Sequence, residues 1–134
     1  MQSFPINWLA LLVATVVKFG LGFAWFGLIF GKQWQALTGL TQESMKAGMP
    51  KAIVTDLVTT FIMAWVLVHA VHFAGANTWG LGAGVGFFNW LGFMGAPTLA
   101  AAMYDKRPLM LWVLTNAYQL VSLLVMGAIV AVWT

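Results

Sequence analysis

The chain has 134 residues, of which 62% are hydrophobic and 7% charged. A soluble domain carries roughly 45–50% apolar and about 25% charged residues, and a chain this short leaves much of its surface in water. A water-soluble monomer is excluded, and so is disorder, which needs low hydrophobicity and high charge. With no cysteine, disulfide scaffolds, thiolate catalysis and cysteine metal sites fall away as well. The net charge of +3 rests on six basic and three acidic side chains, with no basic stripe to track phosphates, so no nucleic-acid partner is expected. What remains is an integral membrane protein with the lipid bilayer as its first partner, read as a single domain over residues 1–134.

A helix rises about 1.5 Å per residue, so crossing a hydrocarbon core of ~30 Å takes roughly 20 apolar residues. Four windows meet this. The first runs from about Ile6 to Phe30 and is interrupted only by Lys18. The second runs from about Ala52 to Phe73, with Asp56 near its start. The third, about Gly80 to Met103, and the fourth, about Leu109 to Trp133, carry no charge. The expected fold is all-α, a four-transmembrane-helix bundle with short loops. The runs are continuous rather than alternating, which argues against a β-barrel. Met1 to Asn7 holds no Lys or Arg, and Lys18 lies inside the following run. The first window therefore reads as a retained span and not a signal peptide.

Charge in the loops predicts orientation. Lys32, Lys46 and Lys51 lie between spans one and two, and Lys106 and Arg107 between spans three and four. The connection from Ala74 to Trp79 has no basic residue. The positive-inside rule then puts both basic loops in the cytoplasm and both termini outside, in a bacterial cytoplasmic membrane. Trp8, Trp79 and Trp133 fall at the outer boundary, and Trp34, Tyr104 and Trp112 at the inner one, where amphipathic rings are favoured. Within the first loop, Thr41 is placed to cap a helix, with Leu40 and Met45 as a hydrophobic staple. Gly48 is placed to end that helix and Pro50 to open span two, which predicts a short amphipathic helix on the cytoplasmic surface. It serves as an ordered connector or as a lipid or partner contact.

Several strings carry a resemblance. They are Ile6-Asn7-Trp8, Gly22-Phe23-Ala24-Trp25-Phe26, Phe30-Gly31-Lys32-Gln33-Trp34, Thr38-Gly39-Leu40-Thr41, Lys106-Arg107-Pro108-Leu109 and Met126-Gly127-Ala128-Ile129. Together they make the chain resemble the DUF1761 family of small bacterial integral membrane proteins over nearly its whole length. The resemblance implies four transmembrane helices, no established activity and no catalytic residues to carry over. Tyr is usual in that family at the position of Phe26, with Pro often close behind; this chain has neither.

Polar side chains inside a span are functional candidates by default. Lys18 is central in span one, about 18 Å from either end, too far for simple snorkelling. Thr15 shares its helical face. Asp56 is the only acid inside a span, with Thr59 and Thr60 on its face. Upright helices would separate Lys18 and Asp56 by about 10 Å in depth, which tilt and side-chain length can close. In span four, Thr115, Asn116, Tyr118, Gln119 and Ser122 fall in one arc, and span three adds Asn89 and Thr98. Lipid cannot satisfy these groups, so they must face protein or water. The expected polar interior comprises Lys18, Thr15, Asp56, Thr59, Asn89, Asn116, Gln119 and Tyr118. It reads either as a path for an ion, proton or small solute, or as a hydrogen-bond network that fixes packing.

His69 and His72 sit one turn apart, a spacing that suits two ligands of one metal, but nothing outside completes the set. They are weak metal candidates; an interfacial titrating pair is the plainer reading, and no cofactor is implied. The alternating Gly80, Gly82, Gly84 and Gly86 lack the strand context of a nucleotide motif and read as close-packing positions. Gly92, Ala96 and Ala100 continue a small-residue ridge, and Gly27 with Gly31 makes a GxxxG pair. Pro97 is placed to bend span three. No serine triad, paired carboxylates or complete metal set points to an enzyme. The expectation is a homo-oligomeric transporter or channel; the alternative is an accessory or lipid-interacting subunit, alone or in a larger membrane complex.

Overall fold

The computed structural model describes residues 5–133, and they are all-α. Helix α1 spans Trp8–Phe23 and passes into a π-helical segment, Ala24–Ile29. Helix α2 is Gly31–Thr38, α3 is Gln42–Ala74, and α4 is Trp79–Trp90. A second π-helical segment, Leu91–Gly95, joins α4 to α5, Ala96–Tyr104, and α6 closes the chain at Leu109–Trp133. Three stretches are long and apolar enough to cross a membrane: Trp8–Ile29, Gln42–Ala74 and Leu109–Trp133. Their outer faces agree with a hydrocarbon solvent, since Leu28 is 74% exposed and Phe93, in the second π segment, 79%.

The third expected span is not one uninterrupted α-helix. It consists of 12 residues of α4, five of π-helix and nine of α5. The backbone stays in the right-handed helical region across both junctions, and Ala96 N–H bonds the Leu91 carbonyl five residues back. Its glycines, Asn89 and Pro97 dilute the apolar character that marks the other three stretches. Pro97 sits in the first turn of α5, where a missing N–H costs nothing.

The first loop also departs from expectation. Thr41 does cap a helix: its hydroxyl accepts Ser44 N–H at 3.1 Å, and Ser44 Oγ accepts Thr41 N–H at 3.1 Å. That helix does not stop at Gly48. It runs on through Pro50 as the 33 residues of α3, about 50 Å long. Pro50 leaves one carbonyl of the preceding turn without its helical donor, but residues 46–52 are exposed, so solvent or headgroups satisfy it. The short amphipathic helix of this loop is instead α2. Gly31, Trp34, Leu37 and Thr38 form its half-buried face, opposite exposed Lys32, Gln33 and Ala36. Gly39, at φ +73°, ends it.

Helix α6 is the hub, packing most closely on α4 and also on α1 and α3. Asn7 caps α1 through Ala10 N–H and donates from Nδ2 to the Trp133 carbonyl at 2.7 Å. This brings the first and last described helices together at one end of the bundle. Trp34 and Thr38 of α2 share a cleft with Asp105 and Arg107 at the other end, so both basic loops lie together. The apolar core fills the half nearer the chain ends, around Leu11, Val68, Val71, Met126 and Val130.

Glycines set the α4–α6 contact. A Cβ on Gly82 would strike the Gly127 carbonyl and one on Gly86 the Leu123 carbonyl, while a Cβ on Gly127 would strike the Gly82 carbonyl. Gly80, Gly84 and Gly92 face open space, so the alternating run splits into a packed face and a free one. The Gly27/Gly31 pair makes no helix–helix contact. Gly27 faces open space, and Gly31 crowds the Phe26 carbonyl of its own π segment. Replacing Gly86 or Gly127 by Val is expected to destabilise the chain by about 1–3 kcal/mol in thermal or denaturant unfolding, because backbone must move. Gly84→Ala is expected to stay within about 0.5 kcal/mol.

Candidate functional site

Lys18 sits on the inward face of α1, with Ala14 and Thr15 a turn before it, and is buried. Its Nζ donates to Tyr118 Oη at 3.1 Å and to Thr60 Oγ1 at 3.4 Å, and lies 3.8 Å from Asp56 Oδ1. Thr60 in turn donates to Asp56 Oδ1 at 3.3 Å, and Tyr118 donates to the Lys18 carbonyl at 3.2 Å. Each hydroxyl thus accepts from the amine and passes its own proton to an oxygen, which leaves the cluster internally satisfied. Three helices meet here, α1 through Lys18, α3 through Asp56 and Thr60, and α6 through Tyr118. The hydroxyl of Tyr118 also explains Gly22, where a Cβ would come within 2.7 Å of it.

The cluster is asymmetric in exposure. The Lys18 side chain is 3% exposed and that of Asp56 43%. Asp56 lies about 27 Å along α3 from Ala74, whereas Lys18 is only about 15 Å along α1 from Trp8. The carboxylate therefore stands towards the basic-loop end, with the amine at mid-bundle. Helix tilt and both side chains together close that offset, bringing Nζ within 3.8 Å of Oδ1. Towards the chain ends, beyond Thr15, the bundle is apolar.

An aromatic wall lines the same end. Trp25 Nε1 donates to the Leu114 carbonyl at 3.1 Å. The Phe26 ring meets Tyr118 edge-on at 5.2 Å and Trp34 at 5.5 Å. The π segment brings the neighbouring rings of Trp25 and Phe26 both against α6, and π turns of this kind recur at functional sites.

The other expected residues divide. Thr15 bonds the Leu11 carbonyl of its own helix at 2.7 Å, and Thr59, exposed, bonds Thr55 and Asp56 carbonyls. Asn89 Nδ2 donates to the Val85 carbonyl at 2.8 Å, also within its own helix. None of the three bonds a side chain of the Lys18 cluster. Gln119 Oε1 is buried and has no hydrogen-bond partner among the described residues.

Asn116 belongs to a second polar group. Its Nδ2 donates to the Trp112 carbonyl at 3.1 Å, and its Oδ1 lies 3.1 Å from Thr98 Oγ1. Thr98 accepts Trp112 Nε1–H at 3.0 Å, and Trp90 Nε1 donates to the Asn116 carbonyl at 2.9 Å. This group borders a cleft of about 340 Å³ between α2, α5 and α6. The cleft was not foreseen from sequence; the signal for it was Thr98, Asn116 and Trp112 recurring near one interface.

His69 Nδ1 lies 2.7 Å from the Trp65 carbonyl oxygen, with its ring 4.6 Å from the Trp65 ring. His72 lies against Phe73. No group of three metal-ligating side chains occurs among the described residues.

The family described as protein of unknown function (DUF1761) matches residues 9–131. The chain belongs to that family. No curated protein and no solved structure matches it.

A double-mutant cycle tests the cluster's coupling. Asp56→Asn leaves Lys18 short of its one carboxylate, so its destabilisation should exceed that of the same change made after Lys18→Met. The expected coupling is about 0.5–2 kcal/mol, kept modest by the exposure of Asp56. Thermal unfolding of the four proteins measures it, and strict additivity rejects it.

Proposed function

We propose that this chain is a small four-span protein of a bacterial cytoplasmic membrane, with both termini outside, that carries an ion or small solute as a homo-oligomer. The observation that carries this reading is the Lys18–Asp56 pair: the two charges inside the spans meet, one buried at mid-bundle and one open towards the basic-loop end. An intramembrane ionisable pair of this kind is costly, and ion and proton pathways are among the functions such residues mark. The helical path of residues 79–104 supports a fourth crossing, and the Asn7–Trp133 bond supports an even number of crossings. The apolar half beyond Thr15 favours a carrier, loaded from one side at a time, over an open channel. Four helices enclose little space, so self-assembly supplies the rest of any chamber.

A second reading has its own support. Every partner of Lys18 ties α1 to a neighbouring helix, as a structural network in an accessory or lipid-interacting subunit would. Reconstitution separates the two. Purified protein in liposomes with an internal pH dye is expected to dissipate an imposed proton gradient faster than empty vesicles. Lys18→Met should reduce that rate at least tenfold while the protein remains folded. A folded wild-type protein that moves neither protons nor alkali cations nor small solutes across such vesicles supports the accessory reading instead.

Orientation has a direct test, because the chain has no native cysteine. Single cysteines at Gln33 and Asn77 in intact cells should differ: a membrane-impermeant maleimide should label Asn77→Cys and spare Gln33→Cys. The opposite pattern overturns the proposed sidedness.

A further inference from the structure

We propose that the cleft between α2, α5 and α6 binds a zwitterionic phosphodiester bearing a primary ammonium, the chemistry of an ethanolamine phospholipid headgroup. The proposal does not depend on whether the chain carries a solute. The cleft is about 340 Å³, at the small end of the range for ligand sites. Its lining includes one cation and one anion, Arg107 and Asp105, whose NH2 and Oδ2 atoms are 3.4 Å apart. The pair is half-exposed and so only weakly held together, leaving both ions available to a ligand.

A cleft with no net charge disfavours a simple anion or a simple cation. It suits a ligand that carries both charges a short distance apart. Arg107 has guanidinium N–H groups beyond the one facing Asp105, in a fork that matches phosphate oxygens. Asp105 accepts N–H donors, which a primary ammonium has and a trimethylammonium lacks. Trp34 and Trp112 line the same space, and indole faces attract ammonium groups. The Trp112 N–H is already committed to Thr98, so its ring is positioned rather than free to turn.

The setting fits a lipid as the source. The cleft lies where α6 begins, beside the exposed ring of Tyr104, at the level an interfacial aromatic belt occupies. Helix α5 is nearly all exposed and touches α6 sparingly, and the wall it gives the cleft is Thr98, Ala101 and Ala102. Small side chains there leave room for an acyl chain to run along α5 from a headgroup seated in the cleft.

The test uses the full chain, delipidated in detergent and titrated with phosphatidylethanolamine, phosphatidylcholine or phosphatidylglycerol under native mass spectrometry. One phosphatidylethanolamine per chain is expected, at least tenfold tighter than either other lipid. Arg107→Gln should weaken it about tenfold, and Asp105→Asn should erase the preference over phosphatidylcholine. Ala101→Leu, at an exposed position, should block the cleft with the thermal midpoint unchanged. Glycerophosphoethanolamine distinguishes the sources. Competition at millimolar concentration supports a water-soluble zwitterion with the same chemistry, and its failure beside retained lipid binding supports the bilayer lipid. Equal binding of the three lipids, or wild-type affinity in both Arg107→Gln and Ala101→Leu, overturns the proposal.

Discussion

A lysine at the middle of an apolar helix must find oxygen atoms inside the protein, and that requirement organises one half of this bundle. Lys18 finds them on two other helices, at Tyr118, Thr60 and Asp56. Because a buried donor left unpaired costs more than a paired one contributes, the three helices must approach in one register. Thr60 and Tyr118 serve both as acceptors for the amine and as donors to a second oxygen, so neither can be replaced by an apolar group of the same shape without loss. Gly22 follows from this, since the phenol needs the space beside α1.

The opposite side of α6 solves a different problem. Between helices in lipid there is no hydrophobic drive, and close backbone approach supplies dispersion contacts instead. Gly82, Gly86 and Gly127 permit that approach to α4, at the end where the core is driest. One helix therefore carries a polar face towards α1 and α3 and a small-residue face towards α4. The arc of Thr115, Asn116, Tyr118, Gln119 and Ser122 is divided in the same way: Tyr118 goes to the lysine, and Asn116 goes to Thr98, the Trp112 carbonyl and, through its own carbonyl, the Trp90 indole.

How far the sequence revealed this depends on the range of the interaction involved. The long apolar runs and the cap at Thr41 are local, and their signatures sit within a few residues. Gly48 and Pro50, which read locally as a stop and a start, lie inside one continuous α3; Gly and Pro disfavour a helix interior, and here the exposed backbone lets water or headgroups take the carbonyl that Pro50 leaves without a donor. The two π segments have no local signature at all. Their insertion is a packing outcome, made visible only by what Trp25, Phe26 and Trp90 reach on α6. Helical periodicity put Asn89 and Asn116 on inward faces, but it could not tell whether an amide would reach across or bond its own helix. Asn89 does the latter. Thr60 was visible beside Asp56 as a face-mate, yet only the tertiary fold turns it into the link between acid and amine.

The polar groups are graded along the bundle in a way that constrains any activity. From the basic-loop end inward there is first a charged and aromatic cleft, then the Phe26, Trp34 and Tyr118 rings, then Lys18 with Asp56 reaching it from the side. Beyond Lys18 the next polar side chain on α1's inner face, Thr15, is bonded to its own helix, and after it come Leu11, Val68 and Met126. Lys18 therefore stands at the boundary between a polar half of the bundle and a core cluster of apolar side chains, where an unpaired charge would be costly. The rings on the basic-loop side of Lys18 come in part from α1's π segment, Ala24–Ile29. Its backbone bonds span five residues rather than four, which sets the adjacent rings of Trp25 and Phe26 both against α6. The turn that has no local signature in the sequence thus supplies the aromatic contacts beside the buried amine, since both of its rings meet Tyr118, which accepts from Lys18.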